Sequence, residues 1–161
     1  MSRDARLARL SRDHHHALTL ALRIQRELGT AEPREVSAMV RDVLRYWDEA
    51  MTPHFAVEAR ALFPLLAAVE EGGLALAARA QGGQRELLDL VTEVRASNAA
   101  TRTGILVRFG AALATQIRWE ERELLEWAQG HLDEAALDTV ASAVAAALPA
   151  EAVPCPVPHL A

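Results

Sequence analysis

Apolar residues recur at alternating steps of three and four through most of the chain, the period of a helix with one face in a core. The cleanest stripe is Leu7, Leu10, His14, Ala17, Ala21, Ile24 and Leu28. It predicts a first helix that opens near Ser2 or Ser11 and runs to Leu28, with Gly29 as its stop. A second segment runs from about Pro33, a good first-turn residue, to Glu70, closed by Gly72 and Gly73. Its stripe passes through Trp47, Met51, His54, Glu58, Leu62 and Leu65, and Pro53 inside it predicts a kink or break just before His54. A third segment, from about Leu74 to Ser97, carries Ala77, Ala80, Gln84, Leu87, Val91 and Val94, with Gly82 and Gly83 weakening it locally. A fourth, from about Thr101 to Gln129, carries Leu106, Phe109, Leu113, Gln116, Glu120, Leu124 and Trp127.

A shorter fifth helix is expected from Asp133, its N-cap, to Leu148, with a small-residue composition suited to the outside of a bundle. The tail PAEAVPCPVPHLA has four prolines and no period, so residues 149–161 are expected to be extended or disordered. No internal repeat and no convincing strand alternation is present. The chain therefore reads as one all-α domain over residues 1–148, an up-down-up-down four-helix bundle with a short fifth helix.

Composition sharpens this in a few places. At 161 residues the chain can bury about 70% of its unfolded surface. The hydrophobic 51% is rich in Ala and Leu and poor in β-branched and aromatic residues, which favours helix over sheet. A formal charge of −5 argues against a nucleic-acid binder or a binder of anionic membranes. No apolar run approaches the roughly 20 residues of a membrane span, and the charged start lacks the apolar region of a signal peptide. A soluble, cytoplasmic protein is the expectation. The single cysteine, Cys155, excludes an internal disulfide framework and a cysteine-built metal cage.

The chemistry sits where the stripes stop being apolar. Each is interrupted in one zone: His14 in the first, His54 with Glu58 in the second, Gln84 in the third, Gln116 with Glu120 in the fourth. The pairs on the second and fourth helices share an i, i+4 spacing, which puts both side chains on one face a turn apart. Antiparallel neighbours bring all six to one level. Two carboxylates buried together cost several kcal/mol each unless a proton, a basic partner or a cation compensates. The chain has no lysine, and no arginine lies on these stripes. Imidazoles with carboxylates suit iron, manganese or zinc, so a metal is the economical answer. Taken singly, each polar residue also fits a hydrogen-bonded core or a solvated face; the joint placement carries the argument.

DHHHAL, PHFAVEARALFP, QRELLDLV and QIRWEERELL, in this order and spacing over roughly residues 7 to 130, resemble the hemerythrin-like (HHE cation-binding) domain family. That family takes a His from helix one, HxxxE from helix two, a His from helix three and HxxxE from helix four around a non-haem di-iron centre bridged by the two carboxylates. The resemblance implies oxygen binding, iron or oxygen sensing, or response to nitric oxide or oxidative stress. Carried over, it implies His14 as the helix-one ligand, with His15 as the fallback if the helix is rotated. It further implies His54 and Glu58 from helix two and Glu120 as the carboxylate of helix four.

Two positions depart from the family pattern. Gln84 and Gln116 stand where the histidines of helices three and four belong, and the FP that follows the helix-four motif is replaced by Leu125 and Glu126. Both glutamines fall on the same iron's side, and an amide oxygen is a far poorer iron ligand than imidazole. What remains is His14, His54, Glu58 and Glu120 for one ion rather than two: non-haem iron, with manganese or zinc possible on the same ligands. O2 or NO is the expected small-molecule partner at such a metal.

The glutamines have a second reading, since each can donate to a neighbouring carboxylate, as Gln116 would to Glu120 one turn on, in a metal-free interaction module. An enzyme is the less favoured class. The Glu-x-x-His of ferritin-type di-iron proteins is absent, and nothing resembles a nucleophile or a phosphate loop.

Overall fold

The computed structural model describes residues 3–156; the expected start at Ser2 and the last five residues of the tail lie outside this range. The described residues form helices and connections without a strand. Five helices follow one another: α1 (Ala8–Glu27), α2 (33–67), α3 (Gly73–Ala96), α4 (102–131) and α5 (Glu134–Ala147). Helices α1 to α4 make the bundle, and α5 lies against the middle of α2.

The ends follow local chemistry. Leu7, with no side-chain cap, precedes α1 at Ala8, so Ser11 does not open it. Glu32 and Glu35 form a capping box at the start of α2, with Pro33 in the first turn. Asp133 caps α5 by accepting from the Ala136 N–H. Between α2 and α3 the chain turns through Gly72 at φ +99, a backbone conformation open to glycine. At Gly73 a Cβ would lie 1.9 Å from the Leu66 carbonyl oxygen, so only glycine lets α3 start against the end of α2.

Pro53 does not break α2. The turn before it, Trp47–Met51, is π-helical, and the Thr52 N–H donates to the carbonyl of Trp47, five residues back. A second π turn, Glu58–Leu62, precedes Pro64 in the same way. Widening the turn ahead of each proline leaves room for a ring that would clash with an α-helical carbonyl. A third π turn, Glu120–Leu124, lies in α4 with no proline after it. Gly82 and Gly83 do not interrupt α3.

The second and third of these wide turns shift the apolar stripe by one residue. Upstream, the expected positions are buried: Trp47, Met51, Leu113 and Phe109 all face inward. Downstream, Leu65 and Trp127 are only half-buried, and Leu66 and Ala128 take the core positions instead. The core is two apolar clusters. One is built around Leu20, Ile24, Met51, Leu87 and Phe109, the other around Leu10, Leu62, Leu66, Leu124 and Val140. The expected polar layer lies between them.

The proline-rich tail is extended over 149–156, as expected, but it is held against the bundle rather than free of it. Val153 and Cys155 pack on the first cluster, and Arg23 donates to the Pro156 carbonyl at 2.8 Å.

Candidate metal centre

Four helices bring their polar interruptions to one level. His14, His54, Glu58 and Glu120 are each 0–1% exposed, although no carboxylate belongs in such a place without compensation. The Nε2 atoms of His14 and His54 face each other at 3.0 Å. His14 Nε2 lies 3.2 Å from Glu120 Oε2 and 3.7 Å from Glu58 Oε1. His54 Nε2 lies 3.3 Å from Glu58 Oε1. His14, His54 and Glu58 each offer a ligand atom within 4.8 Å of the others, a grouping able to hold a metal ion, and Glu120 closes on it from α4.

The outer face of each imidazole is anchored. His14 Nδ1 is 2.6 Å from Glu121 Oε1, and His54 Nδ1 is 3.1 Å from Asp13 Oδ2. These carboxylates accept a hydrogen bond from Nδ1–H and turn the Nε2 lone pair inward, the arrangement that carboxylate–histidine pairs give metal ligands. An arginine backs each in turn: Arg3 donates to Glu121 Oε2 at 3.0 Å, and Arg9 to Asp13 Oδ1 at 3.2 Å. Ser11 adds a bond to Glu121 at 3.1 Å. The arginines absent from the helix stripes thus reach the site one shell out.

The glutamines occupy the other side. Gln84 Nε2 donates to Glu58 Oε2 at 2.8 Å, and Gln116 Nε2 donates to Glu120 Oε1 at 2.8 Å. Glu58 and Glu120 therefore each have one oxygen held by an amide and one turned toward the histidines. Gln116 also donates to the Ala80 carbonyl at 3.2 Å, and its Oε1 lies where a Cβ on residue 83 would be, 1.8 Å away. Gly83, expected only as a weak point of α3, is what gives Gln116 its place.

The inward oxygens, Glu58 Oε1 and Glu120 Oε2, are buried and accept no hydrogen bond. Such oxygens call for a cation. Two imidazole lone pairs and two orphaned carboxylate oxygens converge with separations of 3.0 to 3.7 Å. The edges of a coordination shell with ligands at about 2.1 Å are roughly 3.0–3.4 Å long. A proton between the facing nitrogens satisfies one pair of atoms; a divalent ion satisfies all four. The residues fit the group.

The charge balance of these side chains calls for positive charge at the same level. Burial opposes a charged His54, but the Glu58 charge and the Asp13 hydrogen bond outweigh it and raise its pKa to about 9. Burial likewise opposes a charged His14, yet Glu120, Glu121 and Glu58 together raise its pKa well above the ordinary imidazole value. Burial and the neighbouring Glu58 charge push Glu120 up, while Glu58 is held down, against burial, by the two imidazoles. Asp13 and Glu121 are held below the ordinary carboxylate range, against burial, by the histidines they support.

His15 does not reach the cluster. It is exposed and packs edge-on against His16 at 5.7 Å, so α1 presents His14 and the fallback is not needed. Asp13 and Glu121 are the residues that the helical pattern missed. Glu121 reads as part of a charged, solvated run, and Asp13 as the polar edge of the first stripe. The available signal was adjacency, because each sits one residue along its own helix from a buried residue of the cluster, His14 or Glu120.

The model of the hemerythrin HHE cation-binding domain matches residues 6–134 of the chain. The chain belongs to that family. No curated protein and no solved structure matches it.

Proposed function

We propose that the protein binds a single divalent metal ion, non-haem iron first, through His14, His54, Glu58 and Glu120, and that this ion serves sensing of iron, oxygen, nitric oxide or redox state. The observation that carries the reading is the pair of orphaned inward oxygens on Glu58 and Glu120, facing two histidines whose outer nitrogens are already engaged. A bound iron supplies a redox-active centre with affinity for O2 or NO; manganese or zinc on the same ligands supplies the charge without that redox chemistry. Gln84 and Gln116 favour one ion over two, because their amide N–H groups hold the carboxylate oxygens that a second ion needs.

The chain's own residues have separable parts in this. Asp13 and Glu121 fix the imidazole orientation, Arg3 and Arg9 fix those carboxylates, and the two apolar clusters exclude water above and below. Among the described residues no helix is long and apolar enough to cross a membrane.

A second reading rests on the same amide bonds. With protonated histidines and amide-held carboxylates, the layer is largely compensated without metal, as in a bundle kept for its shape as an interaction module. The two readings separate on anaerobic iron loading followed by titration with nitric oxide. The sensing reading expects a new visible absorption at a stoichiometry of one per iron; an unchanged spectrum in an iron-loaded protein refutes the gas-sensing role, and failure to load iron favours the metal-free module.

A further inference from the structure

Two clefts reach the shell of the site from different sides, and they carry opposite charge. One, of about 370 Å³, opens between α1 and α4 over His14 and Glu121 and is rimmed by His15, Arg118 and Arg122. Among the described residues neither arginine makes an ion pair, so this mouth is positive.

The other, of about 570 Å³, opens between α3 and α4, with Glu86, Asp89, Glu93 and Arg108 at the rim and Gly83 and Gln116 at its inner end. Arg108 pairs with Glu93 at 2.8 Å, which leaves Glu86 and Asp89 unpaired among the described residues. Their i, i+3 spacing sets both on the same face of α3, and Glu86 stands one turn from Gly83.

The inner end is more than a wall. Gln116 is 8% exposed, and both its recorded hydrogen bonds are made by Nε2, to Glu120 and to the Ala80 carbonyl. Its Oε1 accepts no hydrogen bond among the described residues and rests against the bare Cα of Gly83 on the cleft side. An amide oxygen without a donor, at the inner end of an open cleft, is a hard neutral ligand, suited to replacing part of the hydration shell of a divalent ion. One bond further in, its Nε2 holds Glu120.

We infer that the α3–α4 cleft is the route by which the divalent cation reaches the site, with Glu86 and Asp89 drawing it to the mouth and Gln116 as the inner gate. The inference rests on the metal-binding reading above. A cleft of net negative charge raises the local concentration of cations, and the arginine-rimmed cleft repels them. Rotation of the Gln116 side chain would pass the ion from Oε1 to the carboxylate that Nε2 had been holding. Gly83 gives that amide its room, because any larger residue would press on it.

The test is stopped-flow loading of the metal-free full chain with cobalt(II), read by its visible absorption, at low and at physiological ionic strength. Glu86→Gln with Asp89→Asn should slow the association rate about three- to tenfold at low salt and less at high salt, with equilibrium affinity changed by about twofold at most. Glu70→Gln with Glu71→Gln makes the same charge change at the α2–α3 connection, roughly 20 Å along α3 from the mouth at 1.5 Å per residue, and should leave the rate near the parent value. An unchanged rate in the first variant, or an equal fall in the second, overturns the route while leaving the site intact. A parent protein that takes up no cobalt at equilibrium overturns the metal-binding reading, and the route with it.

Discussion

Asp13 offers a test of the site without touching a ligand. Its Oδ2 is 3.1 Å from His54 Nδ1, its Oδ1 is 3.2 Å from Arg9, and the residue is 7% exposed, so solvent does little to screen it. Hydrogen bonds to charged groups contribute about 1.5–3 kcal/mol, against about 0.5–1.5 for neutral ones. Asp13→Asn keeps an acceptor but loses the charge, a loss of about 1–1.5 kcal/mol, which is roughly tenfold in affinity for a metal held by His54. Asp13→Ala removes the anchor altogether and should approach hundredfold, the upper end of what outer carboxylates contribute to metal sites. Equilibrium competition of zinc or cobalt against a chromophoric chelator measures both, with exposed His15→Ala as the control expected to match the parent. If Asn and Ala both stay within about twofold of the parent, then His54 is not oriented by Asp13 or is not a ligand, and the outer-shell argument fails.

Other outcomes follow from the same geometry. Gly83→Ala places a Cβ 1.8 Å from Gln116 Oε1, so the amide must leave Glu120; urea unfolding of the metal-free protein should show a loss of about 1–3 kcal/mol. Gln84→His with Gln116→His replaces both amide donors by imidazoles and should raise metal content from one ion per chain to two by elemental analysis; a count still at one would mean that the glutamines are not what limits it. Metal at a hundredfold excess over Kd should stabilise the parent by about 2.7 kcal/mol, a rise in Tm of roughly 5–11 °C by scanning calorimetry, and should leave His54→Ala unmoved.

Much of this architecture was legible from periodicity. The α1 stripe is buried at every position, including His14, because an uninterrupted α-helix keeps its 3.6-residue period. The stripes of α2 and α4 fail at their last positions, Leu65 and Trp127, for one reason: each lies beyond a π turn that adds a residue to the repeat. Pro64 gave a hint of the wide turn in α2, but nothing local marks the one at Glu120, where Leu125 follows.

Both of these turns begin at the carboxylates of the site, Glu58 and Glu120. There the departure from regular helix coincides with the polar layer that divides the core.

Site geometry was legible to the extent that it depended on faces. His14, His54, Glu58 and Glu120 meet because each lies on a core-facing stripe. Gln116 donates to Glu120 as its i, i+4 position allows, and Gln84 reaches Glu58 from a different helix. Asp13 and Glu121 escaped because they sit beside the stripe, and only the crossing of α1 with its neighbours turns them toward an imidazole. The hold of the bundle on residues 149–156 was equally hidden, since prolines advertise extension and say nothing of where an extended chain packs.

The central claim is one cation at this layer. The most direct measurement is elemental analysis of metal per chain after anaerobic iron loading and removal of loosely bound ions, for the parent beside His54→Ala. Close to one iron is expected in the parent and none in the variant. Two irons in the parent, or equal amounts in both proteins, would contradict it.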